Sequence, residues 1–199
     1  MSLLSIGEEI YLRVLTGKIV GENILDGVNR VALVIYPDRI CSAMSAATLS
    51  SFIGKVGYKE NIGMVYLYKE DFEKLKANIK KYDALMLLFG GEQRISEVVE
   101  EAVETIRFLK DIKYYGILIF HTRTFIATDR LFKIIENKDL MEYLSKLKEI
   151  RTFTVDLDNK KFVFNRIKIK DGKIELEKFN EVQLTEEHIS LLKKSLPKK

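Results

Sequence analysis

The chain has 199 residues, with 33 Lys plus Arg against 29 Asp plus Glu and a formal net charge of +4. Hydrophobic residues make up 47% and charged residues 31%, a balance that excludes a disordered chain and supports a real core. So small a net charge, with acids and bases alternating, gives no argument for a nucleic-acid partner.

The single cysteine, Cys41, has no internal disulfide partner, which points to a reducing setting. No apolar run approaches the ~18 residues of a membrane helix. Met1–Gly17 carries Glu8, Glu9 and Arg13 where a signal peptide would be apolar, so a cytoplasmic protein is expected, with no membrane partner. Lys, Glu and Ile are abundant, Trp is absent, and Gln occurs only at Gln93 and Gln183, a usage typical of thermophile proteins.

Val31–Tyr36 (VALVIY) is a continuous β-branched run, the mark of a strand buried on both faces. Pro37 and Asp38 end it, and Cys41–Gly57 follows as a helix whose small residues allow close approach to a sheet. Gly63–Leu67 reads as a second strand. Lys69–Lys80 reads as a helix striped by Phe72, Leu75 and Ile79. Ala84–Phe89 is a third buried strand, ended by Gly90-Gly91, and Ile95, Val98, Ala102, Ile106 and Leu109 stripe the next helix. Gly116–Phe120 is the fourth strand, with helical periodicity from Thr128 to Lys148. Such alternation predicts an α/β fold, a parallel sheet flanked by helices on both faces.

After Glu149 the period changes to 2. Arg151–Asp156, Lys161–Ile169 and Lys173–Glu177 form an expected antiparallel meander, with tight-turn signals at Asp158-Asn159 and Asp171-Gly172. A last helix starts at Thr185 and ends near Lys193, Lys194 and Pro197. The expected division is residues 1–149 as the α/β domain and residues 150–199 as an appendage of meander and helix.

Ligands of open parallel sheets bind at the carboxyl ends of the strands. Those ends carry Tyr36-Pro37-Asp38-Arg39, Phe89-Gly90-Gly91-Glu92 and His121-Thr122-Arg123-Thr124. A two-metal site needs several carboxylates and imidazoles, and Asp38 with His121 falls short of that set. Arg39 and Arg123 add positive charge where cations would sit. No metal, cofactor or catalytic residue is therefore expected. Cys41 with His121 is a conceivable nucleophile pair, but a lone cysteine opening a small-residue helix reads first as packing. His188 reads as surface or cap decoration. Gly90-Gly91 lacks the remaining residues of a phosphate-binding glycine motif and reads as a tight turn. Arg39, Arg94 and Arg123 either converge on an anion or nucleic-acid phosphate, or pair with Glu92 and solvent. Tyr36 and Phe89 either stack on bases or plug a pocket.

The stretch VALVIYPDRICSAMSAATLSSFI resembles the opening motif of the DHH phosphoesterase superfamily, and the element order over Val31–Leu147 is similar to that family's first domain. The closest likeness is to its RecJ-like branch and the cell division control protein 45 family, which also has a helical lead-in like EEIYLRVL and a glycine turn like LLFGG. The resemblance places Tyr36, Asp38, Arg39, Phe89, His121, Thr122 and Arg123 at former metal-ligand positions, with the last motif on Phe120-His121-Thr122 or one residue later. It implies a degenerate pseudoenzyme, an archaeal-type replication factor of the replisome that binds GINS and, through it, the MCM helicase, near the nucleoid. The Arg151–Glu177 meander is the expected edge for the partner strand. Alternatives are a metal-dependent DHH or RecJ-like phosphoesterase, or a single-stranded DNA binder using Arg39, Arg94 and Arg123.

Overall fold

A computed structural model describes residues 4–60, 62–170 and 172–195. Its centre is a seven-stranded mixed sheet in the order β2-β1-β3-β4-β5-β6-β7. The strands are β1 Val31–Ile35, β2 Gly63–Leu67, β3 Ala84–Leu88, β4 Ile117–Phe120, β5 Glu149–Asp156, β6 Lys161–Lys170 and β7 Lys173–Gln183. The first five run parallel, and β6 and β7 continue antiparallel. The expected α/β class therefore holds. However, β5 pairs with β4, with Ile117 opposite Glu149, so the meander extends the parallel sheet.

β1, β3 and β4 are buried at every position because both faces are covered. Ala32, Val34, Leu85, Leu87, Leu118 and Phe120 face one core, completed by α3 Phe72–Asn78, α4 Ile95–Asp111 and α7 Lys138–Ser145. Val31, Leu33, Ile35, Met86, Leu88, Ile117 and Ile119 face the other, covered by α1 Ile6–Asn23, α2 Arg39–Val56 and α8 Glu186–Ser195. Alternate residues serve opposite cores, as the period of a strand requires.

The small residues of α2 meet a helix as well as the sheet. A Cβ on Gly21 would stand 2.2 Å from Thr48 O, and one on Gly17 would stand 2.8 Å from Met44 O and Ala47 Cβ. Glycine therefore lets the two backbones touch. Arg151 locks the far end of α1, its Nη1 donating to Ile24 O at 2.7 Å and Asp26 O at 2.8 Å.

Several expected elements come out differently. The helix expected over 128–148 divides into α6 Phe132–Ile135 and α7, and a short α5 Thr122–Ala127 precedes it. Asp129, Arg130 and Leu131 take φ of 50°, 54° and 72°, a left-handed turn that no helix accommodates. Asn137 then caps α7, accepting from Asp139 N and Leu140 N. The helix expected over 69–80 starts late because Lys69 has φ 63°, and it ends in a 3-10 turn at Ile79–Lys81. β7 runs to Gln183, six residues beyond expectation, past a register shift opposite Phe164/Asn165. Thr185 caps α8 as expected, accepting from His188 N at 3.2 Å. Of the turn signals, Asp171 lies outside the described residues and Gly172 has φ 71°. Pro197 also lies outside them.

β7 is the outer strand at one end of the sheet, and its residues are mostly exposed. Lys173, Glu175, Glu177, Lys178 and Glu181 line it, the charge pattern that blunts strand addition.

Candidate functional site

In a sheet of order 2-1-3-4-5, the chain leaves β1 toward one side and β3 toward the other, which opens a crevice between their carboxyl ends. The loops from Ile35 to Arg39 and from Leu88 to Arg94 meet there. Asp38 is the strut between them. Its Oδ1 accepts from Cys41 N at 2.6 Å, capping α2, and its Oδ2 accepts from Glu92 N at 3.0 Å in the other loop. Only glycine fits beside it, since a Cβ on Gly91 would lie 2.4 Å from both carboxylate oxygens. A second tie crosses at the surface. Arg39 Nε and Nη2 donate to Glu92 Oε1 and Oε2 at 2.9 and 2.8 Å. That pairing holds Arg39 above and Glu92 below its usual pKa.

The glycine turn is satisfied from within. Gln93 Oε1 accepts from Gly90 N at 2.9 Å and Gly91 N at 2.8 Å, and its Nε2 donates to Glu101 Oε2 at 2.7 Å. Burial raises the Glu101 carboxyl to about 7. Two neighbouring amides that would otherwise suit an anion are thus filled by a side chain.

Below these ties lies a small cleft lined by Arg13, Cys41, Met44, Phe89, Gly90 and His121, among others, with about 200 Å³ of empty space including its open mouth. Arg13 reaches it from α1 and pairs with Glu9 at 3.2 Å, both side chains being 9% exposed. Burial depresses the Arg13 pKa, which the Glu9 carboxylate opposes and Arg123 reinforces. The Cys41 thiol is pushed well up, first by burial and then by the Asp38 charge.

His121 is 4% exposed and packs edge-on against Phe153 at 5.3 Å. Its Nδ1 accepts from Arg123 N at 3.1 Å. Burial, Arg13 and Arg123 all hold its pKa well below the ordinary value, so the ring is neutral. With Nδ1 accepting, the proton resides on Nε2. That Nε2–H has no partner, and neither does Thr122 Oγ1 in the same turn. Buried polar groups left without partners are rare enough to need explaining.

The structure sorts the expected site residues. Asp38, Arg39, Phe89, His121 and Arg123 come together around the crevice. Arg39 pairs with Glu92, and Arg94 is exposed. Tyr36 is half-buried and packs against both cores. Phe89 is buried, edge-on to Tyr68 at 5.4 Å, so its ring plugs the interior and is closed to base stacking. His188 is corrected outright. It is 2% exposed and hydrogen-bonds Thr16 Oγ1 at 3.0 Å, because α8 packs against α1. Among the described residues, no three His, Cys, Asp or Glu side chains stand together as metal ligands.

Sequence reasoning passed over Arg13, Gln93 and Glu101. Two signals were present: Arg13 stands four residues after Glu9, at ion-pair spacing on one helix face, and Gln93 is one of only two glutamines.

Residues 9–191 match the model of a protein family described as "Uncharacterized protein", and the chain belongs to that family. No curated protein matches the sequence. Two solved structures resemble it, both ABC-transporter solute-binding proteins crystallised with 4-hydroxybenzoate. One, from R. palustris, has a TM-score of 0.47 at 10% identity over 87% of this chain and 65% of that one. The other, from Rhodopseudomonas palustris HaA2, has a TM-score of 0.47 at 11% identity over 89% of this chain and 66% of that one. The chain thus spans just under two thirds of their length. At this distance the likeness carries neither activity nor ligand to this chain.

These matches correct the functional expectation. The structures they return are solute-binding proteins, and the family description names neither a DHH protein nor a replication factor. The replication-factor role, and the replisome and DHH expectations built on it, therefore do not stand. Among the described residues no helix is long and apolar enough to cross a membrane.

Proposed function

We propose that this protein is a non-catalytic α/β domain that binds a small ligand in the crevice between the ends of β1, β3 and β4. The observation that carries this reading is the unpartnered Nε2–H of His121, buried in a cleft at the topological switch point. A group with a complementary acceptor would satisfy it.

The groups that could do chemistry there are committed elsewhere. Asp38 uses both oxygens on backbone amides, so it acts as cap and strut. Nucleophilic catalysis needs a thiol of lowered pKa or an adjacent base. The Cys41 thiol is shifted the opposite way, and the free side of His121 carries a proton. Binding is what the arrangement still supports. The enclosed part of the cleft is only about 10 Å³, far below the roughly 300 Å³ at which pockets for drug-sized molecules begin, so it takes a single small polar group, alone or at the tip of a larger molecule.

A thermal-shift screen of anionic, neutral and cationic small molecules tests this. A saturable rise in Tm is expected from at least one member, and Cys41→Leu, which fills the cleft, should abolish it. A silent screen, or a rise indifferent to Cys41→Leu, counts against the reading.

A further inference from the structure

We infer that the open edge of β2 joins a second copy of this chain, the two strands running antiparallel about a two-fold axis at Met64. This surface lies at the end of the sheet remote from β7 and is independent of the crevice reading.

β2 is the last strand at its end of the sheet, so one side of its backbone has no ladder. The ladder with β1 fixes which groups that side presents. Val31 N donates to Ile62 O and Tyr68 N donates to Ile35 O, with Val31 opposite Gly63 and Ile35 opposite Leu67. Alternate residues of a strand turn their backbone groups to opposite sides. Ile62, Met64, Tyr66 and Tyr68 therefore face β1, and Gly63, Val65 and Leu67 face outward. Asp71 already covers Leu67: its Oδ2 accepts from Leu67 N at 2.9 Å, and its N donates to Leu67 O at 3.0 Å. Gly63 and Val65 have no outward partner among the described residues.

Those two residues match a second copy of themselves. With Met64 opposite Met64 in an antiparallel pair, Gly63 of each strand stands opposite Val65 of the other. Each such pair exchanges both N–H···O=C bonds, which uses every outward group that Asp71 leaves open. The Met64 side chains, 47% exposed, then meet across the axis at the closer, non-hydrogen-bonded position.

Charge and length select this occupant. Gly63–Leu67 carries no charge, whereas β7 at the other end is lined with lysines and glutamates that discourage pairing. Lys59 and Glu70 are exposed, lie beyond opposite ends of β2 and have no ion pair among the described residues. The antiparallel arrangement brings Lys59 of each copy toward Glu70 of the other. Asp71 confines pairing to a short stretch, with too few hydrogen bonds to offset the ordering of a flexible peptide. A second β2 is ordered beforehand and has the same length. The contact is isologous, as a closed dimer requires, and makes one continuous sheet of two.

Sedimentation equilibrium of the full-length chain at rising concentration is the first test, and a reversible monomer–dimer equilibrium is expected. Met64→Lys sets two ammonium groups opposite each other and should weaken the dimer about tenfold or more, as should Met64→Glu with its carboxylates. An equimolar mixture of the two variants should dimerise again, because the charges are then opposite. Met64→Cys gives a second reading. Cα atoms about 4.5 Å apart suit a disulfide, and Cys41 is buried, so a linked dimer is expected under oxidation. Leu176→Cys on β7 should stay monomeric. A dimer indifferent to both charged variants, or equal linking of Met64→Cys and Leu176→Cys, overturns the assignment. A parent monomeric at every concentration also overturns it and leaves the edge to an extended peptide.

Discussion

Gln93 and Glu101 form a buried relay that closes the glycine turn: the Gln93 amide nitrogen donates to Glu101 Oε2 at 2.7 Å while its oxygen holds the amides of Gly90 and Gly91. The turn between β3 and α4 is thereby tied to the second turn of its own helix. Gln93→Ala leaves two buried amides and a buried carboxyl without this partner, and each loss costs about 1–3 kcal/mol. A drop of about 2–4 kcal/mol is therefore expected in urea unfolding. An unchanged midpoint would mean that water replaces the relay at no cost.

Glu101 also makes stability depend on pH. Its folded pKa, about 7, lies above the ordinary 4.5. The folded state therefore holds a proton that the unfolded state has released. The contribution is full below about pH 4.5 and is lost as pH rises through 7. Glu101→Gln keeps an acceptor for Gln93 and removes the titration. The variant should be more stable than the parent at pH 8, by on the order of 1–2 kcal/mol, with the gap closing toward pH 5. Chemical unfolding at several pH values checks it, and parallel profiles would refute it.

His188 works in the opposite direction. Burial depresses its pKa from 6.5 to about 4, against the Thr16 hydroxyl and edge-on to Phe162. A depressed pKa contributes stability above 6.5 that is lost as pH falls toward 4. His188→Gln, which can still bond Thr16, should flatten that acid limb. The remaining slope belongs to His121 and to carboxylates such as Glu149 and Asp71, whose pKa values are also lowered. An acid limb unchanged in His188→Gln would show that carboxylates dominate it.

Two glycines one helix apart should behave oppositely on substitution by alanine. Gly21 lies under Thr48 O, where a Cβ would stand at 2.2 Å, so Gly21→Ala must push α1 from α2. A loss of about 1–3 kcal/mol or more is expected from the overpacking. Gly54, inside α2, has nothing within 4 Å of an added Cβ. Gly54→Ala should raise stability by about 0.5–1 kcal/mol through helix propensity alone. Paired thermal melts settle both signs.

Much of the scaffold was legible because the signals are local. Apolar runs from Val31, Ala84 and Gly116 announced strands buried on both faces, and Gly63–Leu67 was placed to the residue. The division of the 128–148 segment escaped because Leu131, a bulky residue, takes a left-handed backbone that nothing in its identity announces. His188 was misjudged for a related reason: its helix reads as amphipathic, but only the docking of α8 against α1 makes its ring interior.

The sequence by itself determined the α/β alternation, the residues of the two cores and the strand ends where a ligand would lie, since hydrophobic period and turn chemistry are properties of neighbours along the chain. Only the tertiary structure decided which side chains share the crevice. Arg13, Asp38, Gln93 and His121 come from four separate segments, and the roles of Asp38 as strut and His121 as donor depend on partners that folding supplies. A proton's place on an imidazole is fixed by what its other nitrogen touches, and that contact is made in space.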